Sequence, residues 1–128
     1  MTINFLNPKT VSFSGKYSLA AEVPAGTKLL FVSGQVGTAP DGKLAPDFEA
    51  QCEQVWKNIG EVLKEGGMTY KDIVKMTTFL TDSRFIPASR VARDKAIPAA
   101  PYPSSTLLIV QGLADPSMLV EIEVVAAK

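Results

Sequence analysis

YPSSTLLIV (residues 102–110) and MLVEIEVV (residues 118–125) are the two stretches that decide the fold of this chain. Both are rich in β-branched and other apolar residues, which favour strands. The connection between them contains Gly112, Asp115 and Pro116, which are typical of turns. The pattern predicts two neighbouring β-strands at the end of the chain.

The second of these strands carries two acids, Glu121 and Glu123. Side chains alternate between the two faces of a strand, so both carboxylates project to the same side, about 7 Å apart. In a dry environment, two acids at that distance raise one pKa and provide a general acid or base. The other interpretation is a solvated strand face that carries two acids, and the pattern alone leaves both open.

The remaining segments predict an α+β fold with the order β-β-β-α-β-α-β-β. Two helices are expected to cover one face of a single mixed β-sheet. The predicted strands before the final pair are 10–13, 17–23, 29–32 and 72–80, and the predicted helices are 47–65 and 84–96.

The first predicted helix begins at the N-cap residue Asp47 and ends at Gly66-Gly67. Its apolar residues recur at three- and four-residue spacing, which indicates one wide stripe that faces the core. Because Cys52 and Trp56 lie on that stripe, we interpret them as core residues and not as a reactive thiol or a binding platform. The full stripe is Phe48, Cys52, Val55, Trp56, Ile59, Val62 and Leu63.

The second predicted helix follows the capping segment Thr81-Asp82-Ser83. Pro87 falls in its first turn, where a missing N–H costs little. Phe85 and Val91, with Ala88 and Ala92, are expected to face the sheet.

The segment 29–32 is apolar at every position, which indicates a strand covered on both faces. Two helices cannot cover both faces of the sheet, so a single copy would expose a large apolar patch. We therefore expect the protein to be an oligomer.

Composition excludes several classes of function. The 128 residues carry 13 basic and 13 acidic side chains, so no basic footprint for nucleic acid is present. With no histidine and one cysteine, the chain offers no His/Cys metal site, no Ser-His-Asp triad and no internal disulfide. No apolar run has the length of a signal peptide core or a membrane span, so a cytoplasmic protein is expected.

The chain resembles the RidA/YjgF family of small enamine and imine deaminases in three segments: Ser33-Gly34-Gln35, Leu80-Thr81-Asp82 and 103–124. The resemblance implies one domain over residues 1–128 and a chorismate-mutase-like homotrimer with helices outside. It also implies small-molecule sites at the clefts between subunits, with no cofactor and no metal.

The same resemblance implies a set of site residues. Glu121 is the candidate that positions and activates water. Deaminating members have Pro-x-Arg where this chain has Pro103-Ser104-Ser105, so the arginine that grips a substrate carboxylate is replaced by Ser105. Arg90 and Arg93 are either substitutes for that cation or solvated helix surface. The positions implied for substrate binding are Tyr17, Ser33, Gly34, Gln35, Ser89, Ser105 and Leu107.

The sequence therefore predicts a cytoplasmic, metal-independent hydrolase or deaminase acting on a small imine, enamine or related electrophile. The alternative is a non-catalytic trimeric module that binds small molecules or protects against stress. Neither interpretation includes a nucleic-acid or membrane partner.

Overall fold

Two helices lie against one face of a four-stranded mixed sheet in the computed structural model, which describes residues 2–128. The predicted α+β class and the order β-β-β-α-β-α-β-β are confirmed. The elements are β1 (Asn4–Leu6), β2 (Ala20–Glu22), β3 (Leu29–Val36), α1 (Phe48–Glu65), β4 (Ile73–Leu80), α2 (Ile86–Ala96), β5 (Ser104–Ile109) and β6 (Val120–Ala127).

The strand order β3-β6-β4-β5 corrects the prediction that the last two strands are neighbours. β4 lies between them, antiparallel to β6 and parallel to β5. Parallel strands need a long crossover, and α2 supplies it between β4 and β5. β6 then fills the place between β3 and β4, where it forms hydrogen bonds on both edges.

The prediction of a single sheet is also wrong, because β1 and β2 form a separate two-stranded sheet. Residues 10–13 are not a strand: Val11 and Phe13 are exposed, and the Val11 N–H donates to the Pro8 carbonyl at 3.2 Å in a turn. The β propensity of these residues does not produce a strand here, because no partner strand lies beside them. The N-terminal segment reaches the main sheet at Ser18, whose N–H donates to the Pro103 carbonyl at 2.9 Å.

α1 begins and ends where the sequence predicts. The Asp47 carboxylate accepts a hydrogen bond from the Ala50 N–H at 2.9 Å, and Gly67 ends the helix in the left-handed region at φ 74°. Cys52 and Trp56 are 1% and 5% exposed, so their core assignment is confirmed. Val62 is half exposed and lies outside the buried stripe.

α2 is preceded by a short 3-10 turn, Ser83–Phe85, where the Asp82 carboxylate accepts a hydrogen bond from the Arg84 N–H at 2.8 Å. Phe85 stacks on Phe48 of α1 with ring centroids 4.2 Å apart, and Ala88 and Ala92 pack against the core. The prediction for Val91 is wrong, since this side chain is 58% exposed and faces outward.

The sheet face opposite the helices is open in the single chain. Phe31 is 73% exposed and Leu29 is 46% exposed, whereas Val32 on the helix side is buried. The strand 29–32 is thus covered on one face only within one copy. No helix in the described part of the chain is long and apolar enough to cross a membrane.

Candidate functional site

A β-bulge in β3 places the Glu121 carboxylate in contact with the backbone at Gly34, which has no side chain. Val32 pairs with Val124 and Gln35 with Ile122, so β3 contains one extra residue between these pairs. A Cβ built on Gly34 would lie 2.8 Å from Cδ of Glu121 and clash with the carboxylate oxygen Oε2. Glycine at residue 34 is therefore what allows the Glu121 carboxylate to lie directly over the strand backbone.

The Glu121 carboxylate is half buried between Val36 of β3 and Phe79 of β4, its lateral neighbours in the sheet. Within residues 2–128, no hydrogen bond or ion pair holds this carboxylate, so it is available for contact with a ligand or water. Glu123 shares the face, as the alternation predicts, but it is exposed and lies opposite Thr77. The two acids thus have different environments.

A second group of predicted residues surrounds a small polar pocket on the helix side of the sheet. The pocket, of about 20 Å³, is lined by Ser105 of β5 and by Ser89, Arg90 and Arg93 of α2. Ser89 is buried because it faces the sheet one turn after Phe85. Trp56, Met76, Thr78 and Ile122 complete the lining.

The charge beside this pocket is mostly positive. Arg93 donates two hydrogen bonds to Asp94, at 3.1 and 3.3 Å, and Lys16 donates one to the same carboxylate at 3.3 Å. Burial alone would raise the pKa of Asp94, but these hydrogen bonds and the two cations hold it below its usual value. Arg90 is exposed and forms no ion pair within residues 2–128. Three cations and one carboxylate give this cluster a net charge of +2.

The other predicted residues flank these two groups. Tyr17 lies beside the start of β5, since Ser18 bridges to Ser104, and its ring packs on Phe13 at 5.3 Å between centroids. Leu107 lies on the same side of β5 as Ser105, two residues along and 37% exposed.

Ser33 and Gln35 adjoin the bulge beside Gly34. The Gln35 side-chain amide donates to the Ser33 carbonyl at 3.1 Å, which holds this amide against the bulged backbone.

Strand register places Glu121 and Ser105 on opposite faces of the sheet. Ser105 lies opposite Met76 of β4, whose buried side chain faces the helices. Glu121 lies opposite Phe79, three residues further along β4 and therefore on the open face. One copy of the chain thus brings the predicted residues together as two separate groups.

Sequence reasoning missed the contribution of Trp56. Its core position is confirmed, but the side chain also lines the polar pocket, and its indole Nε1–H has no hydrogen-bond acceptor within residues 2–128. The available signal was that a buried tryptophan usually needs an acceptor for this N–H.

A larger groove of about 320 Å³ lies between α1 and α2, on the outer side of the helices. Cys52 contributes to its lining, but burial, with a smaller effect from Glu49, raises the pKa of this thiol to about 12. The thiol is therefore protonated and unreactive at neutral pH. Across residues 2–128, no group of three or more Cys, Asp and Glu side chains is arranged to hold a metal ion.

Comparison with known proteins gives a match over nearly the whole chain. Residues 9–128 match the family described as Endoribonuclease L-PSP. A RutC family protein from Aquifex aeolicus is 36% identical over 123 residues, covering 94% of this chain and 95% of the relative. The mouse 2-iminobutanoate/2-iminopropanoate deaminase is 39% identical over 70 residues, covering 53% of this chain and 50% of the relative.

The fold has a close counterpart among solved structures. A Yersinia pestis protein, YyfB, described as a protein of unknown function of the conserved Rid family, superposes with a TM-score of 0.90. The two sequences are 30% identical, and the superposition covers 100% of each chain.

Proposed function

This chain belongs to the RidA/YjgF family, also described as Endoribonuclease L-PSP and RutC, and from that membership we propose that it hydrolyses small imines. The observation that carries the proposal is the free Glu121 carboxylate lying over the Gly34 backbone. A relative from mouse is named for deamination of 2-iminobutanoate and 2-iminopropanoate. Small reactive imines, and enamines that tautomerise to them, are the substrate class.

The reaction requires protons to be taken from water, given to the amine nitrogen and taken from the carbinolamine hydroxyl. The Glu121 carboxylate takes a proton from water as the water oxygen attacks the carbon of the protonated imine, which gives a carbinolamine. The protonated Glu121 then returns the proton to the amine nitrogen. As the C–N bond breaks and ammonia leaves, the Glu121 carboxylate accepts the hydroxyl proton and the carbonyl forms. The ammonia takes up that proton and becomes ammonium, which regenerates the carboxylate. One positioned carboxylate is sufficient for these transfers.

We propose that the complete site forms between two copies in a homotrimer. Glu121 and Ser105 face opposite sides of the sheet, so a neighbouring copy has to bring its own Ser105 side to the open face. Covering that face would also bury Phe31, which is 73% exposed in the single chain. Closed rings of identical subunits are a common solution for such a surface.

The second candidate function is a non-catalytic binding module, and Ser105 is the residue that favours it. If Ser105 occupies the position of the family's arginine, the bidentate contact to a substrate carboxylate is absent at β5. Turnover, and not binding, is therefore the property that separates the two functions.

Glu121→Gln tests the proposal with Glu123→Gln as a matched control on the same strand face. Loss of a positioned acid–base group lowers kcat/KM for imine hydrolysis by roughly a hundredfold to ten-thousandfold. Glu123 is exposed and lies away from Gly34, so its variant is expected to keep wild-type turnover. Imines generated enzymatically in a buffer without primary amines serve as substrates, and ammonium release is measured.

Equal losses in both variants would contradict the role of Glu121. Absence of turnover in the wild-type protein, with binding of the product oxo acid retained, would instead support the binding module.

A further inference from the structure

The outer groove between α1 and α2 is bounded by two helices that run in the same direction. β3, β4 and β5 are mutually parallel, since β6 is antiparallel to both β3 and β4, and β5 is parallel to β4. α1 and α2 each connect two of these strands, so both helices run back in one direction. Their first turns are level, because Phe48 of α1 stacks on Phe85 just before α2. Equal distances along the two helices therefore correspond to one level of the groove.

The charged side chains that line the groove are separated by sign along this direction. Glu49 and Glu53 lie in the first two turns of α1 and form an acidic end. Lys57 is the tenth residue of α1 and Lys95 is the tenth residue of α2, so the two lysines lie at one level and form a basic end. The groove is therefore dipolar along its length.

Neither end of the groove is neutralised within residues 2–128. All four charged side chains are exposed, and none of them forms an ion pair in this part of the chain. Glu53 and Lys57 are four residues apart, the spacing at which a helical ion pair forms, and even this pair is absent. Like charges that lie close together repel each other. A ligand that brings the opposite charge to each end relieves the repulsion at both.

The floor of the groove is apolar and has the size for a small molecule. Trp56 and Tyr70 meet edge to face with ring centroids 5.8 Å apart, and the short side chains of Ala88, Ala92 and Ala96 leave room beside these rings. The volume of about 320 Å³ lies at the lower end of the range for small-molecule sites. A single turn of an α-helix already occupies about 400 Å³. The groove is therefore better matched to a small molecule than to a partner helix.

We propose that this groove binds a small linear zwitterion with an apolar middle, whose cation lies at the acidic end and whose anion lies at the basic end. Glu53 and Lys57 are separated by about 6 Å along the helix axis. The two ends of an extended dipeptide are separated by roughly 7 Å, so an apolar dipeptide spans them with its side chains over Trp56. Neither Glu121 nor Ser105 lines the groove, so this site is separate from the proposed imine site.

Calorimetric titration with the dipeptide leucyl-phenylalanine tests the inference, and two blocked forms of the same dipeptide are matched controls. N-terminal acetylation removes the cation and C-terminal amidation removes the anion, while the apolar side chains stay the same. The wild-type protein is expected to bind the free dipeptide about fivefold more tightly than either blocked form, which is the effect of one exposed charge contact.

Two double variants assign each charge of the dipeptide to one end of the groove. With Glu49→Gln and Glu53→Gln combined, the free dipeptide is expected to bind no more tightly than its acetylated form. With Lys57→Gln and Lys95→Gln combined, it is expected to bind no more tightly than its amidated form. All four positions are exposed, so both variants are expected to fold, and their melting temperatures verify this.

Lys64→Gln and Glu65→Gln change exposed charges of α1 outside the groove and are expected to keep both wild-type preferences. Absence of dipeptide binding, or equal binding of the free and blocked forms by the wild-type protein, would overturn the inference and leave the four charges as solvated helix surface. Preferences that survive in both double variants would also overturn it, because the dipeptide would then bind elsewhere, such as the polar pocket that Trp56 also lines.

Discussion

Gly34→Ala adds one methyl group and is the smallest substitution that would displace the Glu121 carboxylate from the backbone of β3. The added Cβ would lie 2.8 Å from Cδ of Glu121, and the flexible side chain would move away. We expect Gly34→Ala to lower turnover roughly a hundredfold, because a displacement of about 1 Å has that effect on a reacting group. Thermal stability should change little.

Gly112→Ala is the control for this variant, since no atom lies within 4 Å of the Cβ it would add. Comparison of kcat/KM and melting temperature in the two variants distinguishes displacement of the Glu121 carboxylate from a general loss of stability. Wild-type turnover in Gly34→Ala would show that the observed place of the Glu121 carboxylate is unimportant.

The placement of individual candidate residues was predictable where the signal is local. Strand alternation alone placed Glu121 and Glu123 on one face, and the family resemblance pointed to Gly34. The bulge that joins Gly34 to Glu121 was not predictable, because an extra residue in β3 is defined only by its pairing with β6. The role of Trp56 was missed because an apolar stripe does not show which polar atom lacks a partner.

At the scale of elements, the Gln51 side chain connects α1 to two loops through hydrogen bonds. Its side-chain amide donates to the carbonyls of Ala45 at 3.1 Å and Ser117 at 3.0 Å, and its Oε1 accepts from the Leu119 N–H at 2.9 Å. Gln51 is 2% exposed, and Gln51→Met removes these three hydrogen bonds to the backbone of the two loops. The expected loss in the free energy of unfolding is about 3 kcal/mol.

Gln54→Met on the same helix is the matched control. Gln54 forms one side-chain hydrogen bond, to Asn58 at 2.8 Å, and the expected loss is below about 1 kcal/mol. Urea denaturation of both variants measures the difference. Similar losses would mean that the Gln51 contacts add little to the docking of α1.

Element bounds were predictable where residues next to each other in sequence determine them. Asp47 and Gly67 set both ends of α1 by local hydrogen bonding and backbone conformation. The strand order was not predictable from the last two strands alone. The crossover through α2 makes β4 and β5 parallel neighbours, so β6 pairs with the other edge of β4 and not with β5. Val91 faces outward because the apolar residues of α2 that contact the core are Ile86, Ala88, Ala92 and Ala96.

At the scale of the whole molecule, Glu121 and Ser105, with the candidate residues around each, lie on opposite faces of one sheet. Apolar composition predicted that one face would need a partner, and the single chain leaves Leu29 and Phe31 exposed on that face. Burial of about 25 cal/mol per Å² of apolar surface favours association through this face. The proposed number of copies, three, comes from the family resemblance, because an apolar pattern does not contain the geometry of a contact between copies.

Subunit complementation tests most directly the proposal that two copies share one site. Glu121→Gln removes the carboxylate and Ser105→Phe blocks the pocket, so each variant alone should be inactive, and light scattering verifies that each remains assembled. When the two are unfolded together and refolded as mixed oligomers, about a quarter of the clefts combine an intact Glu121 with an intact pocket from the neighbouring subunit. The account predicts that imine hydrolysis returns to about a quarter of the wild-type rate. No recovery in mixed oligomers that have demonstrably exchanged subunits would contradict it.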